Sequence, residues 1–409
     1  MGLNKVFILT QYYPPETGAP QNRLSNLARY LSTLGIDVNV LTALPNYPSA
    51  EIFPEYRRKL YCEEELDGIR VLRSWLYVSK SRAIISRLLN YFSFVISSFF
   101  LGLKSIDKNT DLIICESPPL FLGISAVLLK KVKGTRLLFN VSDLWPESAE
   151  ELGLVSNKML LSLSRGLEEY LYRSSDLISG QTQGIVKNIS ARVSKPILWY
   201  RNGFDFRSSL EQWEHGSFRA DNGFMDDDFL LFYGGILGHA QGLETCLRAA
   251  KILKENKRIY FLFYGTGPEE ASLKMYKEEN QLDKVIFYGH KQRNELLAIL
   301  NEIDVGIIPL KDLPIFRGAI PSKIFEVLAW RKPILLGVKG EAKELFIDIG
   351  KAGYYYEPEN EKDLADKIDI MSKERERNLS FGENGYRYIY EQFNQSIILD
   401  GLYNFINKD

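Results

Sequence analysis

Short apolar runs rich in β-branched and aromatic residues alternate with segments of helical period along most of the chain. In the first half the runs are KVFILTQ, DVNVLTA, DLIICES, TRLLFNV, DLISG and PILWYR, and helical periodicity covers 19–34, 120–131 and 157–173. A strand covered on both faces has no polar side to show, so runs that are apolar throughout predict parallel strands layered between helices. After Asn202-Gly203 the period fails over SSLEQWEHGSFRADNGFMDDD, which reads as a linker. Alternation restarts with FLLFYGG, a helix over 242–254, RIYFLFYG, a helix over 268–279, KVIFYG, DVGIIPL and KPILLGV. The expectation is an α/β chain of two doubly wound, Rossmann-like domains, 1–203 and 204–384, facing each other across a cleft. A last helical segment carries Tyr386, Tyr388, Tyr390, Phe393, Tyr403 and Phe405, so residues from about 385 to 409 are expected to pack back on the first domain. Open parallel sheets bind ligands outside the carboxyl ends of their strands, which directs attention to the loops that follow them.

The most apolar helical stretch lies at 83–103. It is long enough to span a bilayer at about 1.5 Å per residue, but Arg87, Asn90 and four serines interrupt it. Two readings stand: a buried domain helix, or a helix whose apolar face meets lipid. Charge bears on the choice. The 409 residues hold 51 basic and 52 acidic side chains, which argues against wholesale nucleic-acid binding. Within positions 70–136, however, 11 basic residues, Lys130, Lys131 and Lys133 among them, face only Asp107, Asp111 and Glu116. Such an excess beside an apolar helix would suit an anionic membrane surface or a pyrophosphate-bearing lipid. Three scattered cysteines and three scattered histidines build neither a disulfide framework nor a zinc site. The opening MGLNKVFILT runs straight into a strand, so a cytoplasmic protein is expected, held peripherally at the inner face of the plasma membrane.

Four loops carry candidate chemistry. The loop QYYPPETGAPQNR sets Gly18 before a helix containing Arg23, a receptor for a phosphate or a sugar hydroxyl or else a plain tight turn. In NVSDLWPESAEELG, Asp143 follows a strand, placed either to hold a substrate at the reacting carbon or to cap the next helix. YGGILGHAQGLE is a glycine-rich turn with Gly234, Gly235, Gly238 and Gly242, suited to a pyrophosphate although it matches neither GxGxxG nor the P-loop. The richest stretch is IFRGAIPSKIFEVLAWRKPILLG. There Pro321 and Ser322 lead into Lys323, and Glu326 follows one turn later. A lysine at a helix start opposes the dipole and is best explained by a bound anion, with Glu326 free to accept both hydroxyls of a ribose; an ordinary i, i+3 ion pair is the alternative.

Taken in order, YYPPETGA, DLWPE, RNGFD and PSKIFEVLAW resemble the retaining GT-B glycosyltransferases of family 4, over nearly the whole chain. Within that family it looks like the subgroup that adds N-acetylated 6-deoxyhexosamines such as N-acetyl-L-fucosamine during O-antigen or capsule assembly. The resemblance implies a UDP-sugar on the second domain and a polyprenyl-diphosphate-linked saccharide acceptor on the first, with no cofactor and no metal. It implies Asp143 and Lys323 as catalytic residues. It places Gly18, Arg23, Asn202, Gly234, Gly235, His239, Gln241, Gly265, Gly267, His290, Arg317, Ile320, Pro321, Ser322 and Glu326 around the donor. The chain departs from the family where Gly318 stands for a first glutamate, and where Ile236 and Gln241 stand for an arginine and a lysine. Those departures leave Lys323, helped by Arg317 or Arg293, to neutralise the leaving diphosphate. They also keep a non-catalytic nucleotide-sugar-binding protein open as an alternative, beside a nucleotide-sugar epimerase of the same fold. Asp226-Asp227-Asp228 reads as a solvated turn ahead of a strand, not as a metal-binding pair of aspartates.

Overall fold

A computed structural model describes residues 2–408 apart from 17, 48, 82, 146, 148–157, 207–216 and 290–292. The chain forms two compact units, one of residues 1–203 with 396–409 and one of residues 204–395.

In the first unit the strands are β1 (Lys5–Leu9), β2 (Asp37–Ala43), β3 (Tyr61–Leu66), β4 (Ile69–Ser74), β5 (Leu112–Ser117), β6 (Arg136–Val141), β7 (Leu177–Gly180) and β8 (Ile197–Trp199). They order as β3-β4-β2-β1-β5-β6-β7-β8, parallel except for the β3–β4 hairpin. Alternation along β1 splits the core between the two faces. Phe7 and Leu9 join Leu41, Ile113 and Phe139 on one face, and Val6 and Ile8 join Val40, Ile114 and Leu138 on the other. The first face is covered by α2 (Ile84–Ser105), α3 (Leu122–Lys133) and α4 (Lys158–Ser174). The second is covered by α1 (Ala19–Thr33) and by the C-terminal helix, Gln395–Ile406, through Ile398, Leu399, Leu402 and Ile406. The return of the chain is thus shorter than the expected 385–409. Residues 375–392 form a helix of the second unit, where Gly382 and Gly385 let it close onto the Arg331 carbonyl and the Leu328 side chain. The β3–β4 hairpin has no counterpart in the sequence reading, because Glu63, Glu64 and Glu65 break the apolar pattern of an edge strand.

The helix expected at 83–103 lies on this unit. Phe94 and Ser98 are fully buried, the Ser98 hydroxyl donates to Ser125 Oγ at 3.1 Å, and Gly102 admits Leu129. Its opposite face stays open. Three cations of the 70–136 stretch are engaged by the fold. Lys130 pairs with Asp176 at 2.8 Å, the Lys133 ammonium donates to the Leu103 carbonyl at 2.6 Å, and Arg73 is buried against Glu64. These three cations close helix ends and loops.

The second unit holds β9 (Phe229–Gly234), β10 (Ile259–Tyr264), β11 (Val285–Gly289), β12 (Val305–Pro309), β13 (Ile334–Gly337) and β14 (Gly353–Tyr355). All are parallel, in the order β11-β10-β9-β12-β13-β14. Counted within the unit this is the 3-2-1-4-5-6 order of a Rossmann sheet, and it reverses between β9 and β12. After α5 (Gln183–Ser190), which closes the first unit, the second unit carries α6 (Glu244–Ile252), α7 (Glu270–Glu279), α8 (Arg293–Glu302) and α9 (Lys323–Ala329) ahead of 361–373 and 375–392.

Candidate functional site

Chain order reverses beside β9, and there the second unit brings together the end of that strand, its glycine-rich turn and the start of α9. The Lys323 ammonium donates to Tyr233 Oη at 2.8 Å and to Gln241 Oε1 at 2.8 Å, and it stands 4.2 Å from the centre of the Tyr233 ring. The Tyr233 hydroxyl in turn donates a hydrogen bond to the Ile236 carbonyl at 2.7 Å. Gly235 is what lets this lysine in. A Cβ there would lie 2.6 Å from Lys323 Cε, and the residue's φ of 138° is one that side chains rarely adopt. Burial pulls the ammonium down to about 8, with Glu326 nearby opposing the shift. Among the described residues Lys323 makes no ion pair; two neutral oxygens and a ring face hold it. A cation kept in this way costs free energy until an anion reaches it.

Several predicted residues have other duties. Gly265 and Gly267 sit where two turns meet. Added Cβ atoms would fall 1.9 Å from the Gly235 carbonyl oxygen and 2.3 Å from that of Leu237, so these glycines let the turns after β9 and β10 lock together. Backbone bonds complete the lock, from Gly235 N–H to Tyr264 at 2.8 Å and from Leu237 N–H to Thr266 at 3.0 Å. Gln241, read as a lost cation, is the acceptor that steers Lys323. His239 turns outward, 75% exposed, with Nδ1 2.6 Å from Glu269 Oε1. Gly234 packs on the Phe232 ring. Pro321 accepts the Ile324 N–H at 3.1 Å and so starts α9, after half-buried Ile320 and beside exposed Ser322 and Glu326. Arg317 is exposed, and its carbonyl accepts the Glu341 N–H at 2.8 Å. His290 lies outside the described residues. Asp228 accepts the Met225 N–H at 2.8 Å and Asp227 pairs with Arg258, which makes 226–228 a turn before β9.

In the first unit the carboxyl ends of β5 and β6 meet α1. Arg23 turns its guanidinium into the first unit. It is buried with Glu116 at 2.5 Å, side chains 6% and 2% exposed, and it also donates to Ser142 Oγ and, at 2.9 Å, to Asn202 Oδ1. Glu116 further accepts from Asn140 Nδ2 at 2.6 Å. A carboxylate buried at a strand end needs a cation, and Arg23 is one helical turn into α1 to supply it. The pair fixes Asn202 and the turn that carries exposed Asp143, so Arg23 acts through its neighbours. Gly18 precedes α1 in extended backbone, and the Gln21 carboxamide fills the space beside its Cα. Glu116 and Tyr233 were missed by sequence reasoning. Each is the polar residue at or just before a strand's end, followed by a turn, and that position was the available signal.

The family described as "Glycosyl transferase 4-like domain" matches residues 18–198, and "Glycosyl transferases group 1" matches residues 215–388. Among curated proteins the chain is 26% identical over 340 residues to the Escherichia coli K12 glycosyl transferase WcaI, named for colanic acid biosynthesis, covering 80% of this chain and 81% of that protein. It is 21% identical to the O-antigen chain mannosyltransferase C of Escherichia coli, covering 96% and 95%. Among solved structures, Anabaena Alr3699/HepE in complex with UDP shares the fold with a TM-score of 0.70 at 13% identity, covering 98% and 99%.

Proposed function

The chain carries a glycosyltransferase 4-like first domain and a group 1 second domain, and on that premise we propose that it is a GT-B enzyme of bacterial polysaccharide biosynthesis that moves a sugar from UDP to a lipid-linked saccharide with retention. The observation that carries the donor half is Lys323, a partly buried cation without an ionic partner among the described residues, at the switch point of a Rossmann sheet. In the proposed reaction the bond from the sugar's anomeric carbon to the β-phosphate oxygen breaks, and Lys323 takes up the charge that develops on the departing diphosphate. An acceptor hydroxyl attacks the same face and hands its proton to that phosphate oxygen. Electrostatic stabilisation of the leaving group supplies most of the rate. Glu326, exposed one turn after Lys323, holds the ribose hydroxyls.

The transferred sugar is proposed to be an N-acetylated deoxyhexosamine, by the resemblance of the four segments. The acceptor is proposed to be a polyprenyl-diphosphate saccharide, reached at the cytoplasmic face of the membrane. Lys323 provides the positive charge at the diphosphate, so transfer is expected to persist in excess EDTA; abolition by chelation counts against the scheme. The test is a mass-spectrometric screen of UDP-sugars against polyprenyl-diphosphate monosaccharides with the purified chain, followed by proton NMR of the product and of the recovered UDP-sugar. A disaccharide product with retained anomeric configuration is expected. A free epimer, or nucleotide binding without turnover, contradicts the proposal.

A further inference from the structure

The way Lys323 is held also fixes where its nitrogen can react. An ammonium has three hydrogens to donate, and two of them go to Tyr233 Oη and Gln241 Oε1, each at 2.8 Å. Among the described residues nothing accepts the third. The bond to Cε and the two donations therefore set three corners of the nitrogen's tetrahedron. The fourth points away from both acceptors, and it carries either the last proton or, once that has left, the lone pair. Little around the nitrogen keeps that proton in place. Both acceptors are neutral, and Glu326 is exposed to water one turn along α9. Burial outweighs the pull of Glu326 and Cys246 and brings the ammonium to about 8. At pH 7 about one molecule in ten then holds a free amine, against roughly one in three thousand for a lysine at the ordinary 10.5.

An amine with its lone pair turned toward the place that receives a phosphate is a nucleophile with its own docking site. Resting on the donor reading above, we propose that Lys323 is a modification site, acylated by small acyl phosphates, the mixed anhydrides of a carboxylic acid and phosphoric acid. The phosphate end takes the place of the donor's diphosphate, which sets the acyl carbon one oxygen away from it and beside the nitrogen. Lys323 gives its third proton to water, and the lone pair attacks the acyl carbon. An amide C–N bond forms and the bond from the acyl carbon to the phosphate oxygen breaks. Phosphate leaves with that electron pair and takes up the nitrogen's surplus proton. Neighbouring nucleophiles do not compete: the Cys246 thiol is fully buried and pushed up to about 12, and burial keeps the Tyr233 phenol protonated. The product amide is uncharged, so a departing diphosphate meets no cation there and the donor site is switched off. Sugar transfer is thereby tied to the level of activated carboxylic acids.

The test treats the full chain with acetyl phosphate at pH 7 and reads the acetylation rate of each lysine by peptide mass spectrometry, beside a calorimetric titration of the untreated chain with UDP. Lys323 should be acetylated at least tenfold faster than exposed Lys108 and Lys257. Saturating UDP should slow Lys323 at least tenfold and leave those two within twofold. Gln241→Glu gives the ammonium an ionic partner at the same place, so it should cut the Lys323 rate at least tenfold with the other two unchanged. A Lys323 rate no higher than theirs, no protection by UDP, or a wild-type Lys323 rate in Gln241→Glu overturns the proposal. Where the titration shows UDP binding, any of these removes acylation and leaves the donor reading standing; a wild type that binds no UDP removes both.

Discussion

Lys323 gives the donor site a built-in pH dependence. Burial holds its ammonium at about 8 against an ordinary 10.5, a gap worth about 3 kcal/mol at 1.36 kcal/mol per unit. About nine in ten molecules are therefore charged at pH 7 and about one in ten at pH 9. Phosphate second ionisations lie near pH 6, so the terminal phosphate of UDP is fully ionised across that window. If the diphosphate binds the ammonium, UDP affinity should fall about tenfold from pH 7 to pH 9, about 1.4 kcal/mol. Lys323→Met should bind on the order of a hundredfold more weakly, and its residual dependence corrects for the nucleotide's own titration. The stability sign runs the opposite way. The folded value is lowered, so between about 8 and 10.5 the unfolded chain binds more protons and stability rises with pH. At pH 7 Lys323→Met removes the desolvation cost along with two hydrogen bonds, so the melting temperature of the apo chain should hold or rise by a few degrees. Isothermal titration at pH 7, 8 and 9 with thermal melts of both proteins decides it. A pH-independent wild-type affinity, or a variant that binds UDP normally, refutes the assignment.

Replacing Arg23 with Met strands buried Glu116 and should cost about 3–5 kcal/mol, read in urea melts; restoration by pairing it with Glu116→Gln is expected, and an unchanged midpoint in the single variant would contradict the pair. Gly267→Ala drives a methyl to 2.3 Å from the Leu237 carbonyl oxygen and should destabilise by about 1–3 kcal/mol or more. Gly318→Ala, with nothing within 4 Å, should be neutral in the same melts, and equal effects would show that the loop lock is misplaced. Glu326→Ala should leave the fold intact and weaken UDP roughly 10- to 100-fold, as expected for lost charged hydrogen bonds to a ribose; undiminished affinity would remove Glu326 from the site.

Apolar runs located the strands well where both faces are covered, since nothing polar interrupts Leu112–Cys115 or Leu230–Tyr233. They passed over β3, where one strand edge is a row of glutamates, and over three-residue β14, which is too short to show a period. Lys323 was legible because a lysine at a helix start needs a reason. Its holders were not, because Tyr233 and Gln241 meet it from 90 and 82 positions away, a pairing that only the sheet order creates. The glycines illustrate the same limit: a pattern rich in glycine marks close approach, but Gly265 approaches the Gly235 backbone and Gly235 approaches Lys323, and the sequence does not say which atom is the neighbour. Arg23 was identified as consequential and its partner was not, since the buried carboxylate that claims it lies 93 positions away at the end of β5.

The most direct measurement is a crystal structure of the chain grown with UDP. The account predicts the β-phosphate within hydrogen-bonding distance of Lys323 Nζ, about 2.7–3.2 Å, and the ribose on Glu326. Well-ordered nucleotide elsewhere in the chain, with Lys323 still bound only to Tyr233 and Gln241, would contradict it.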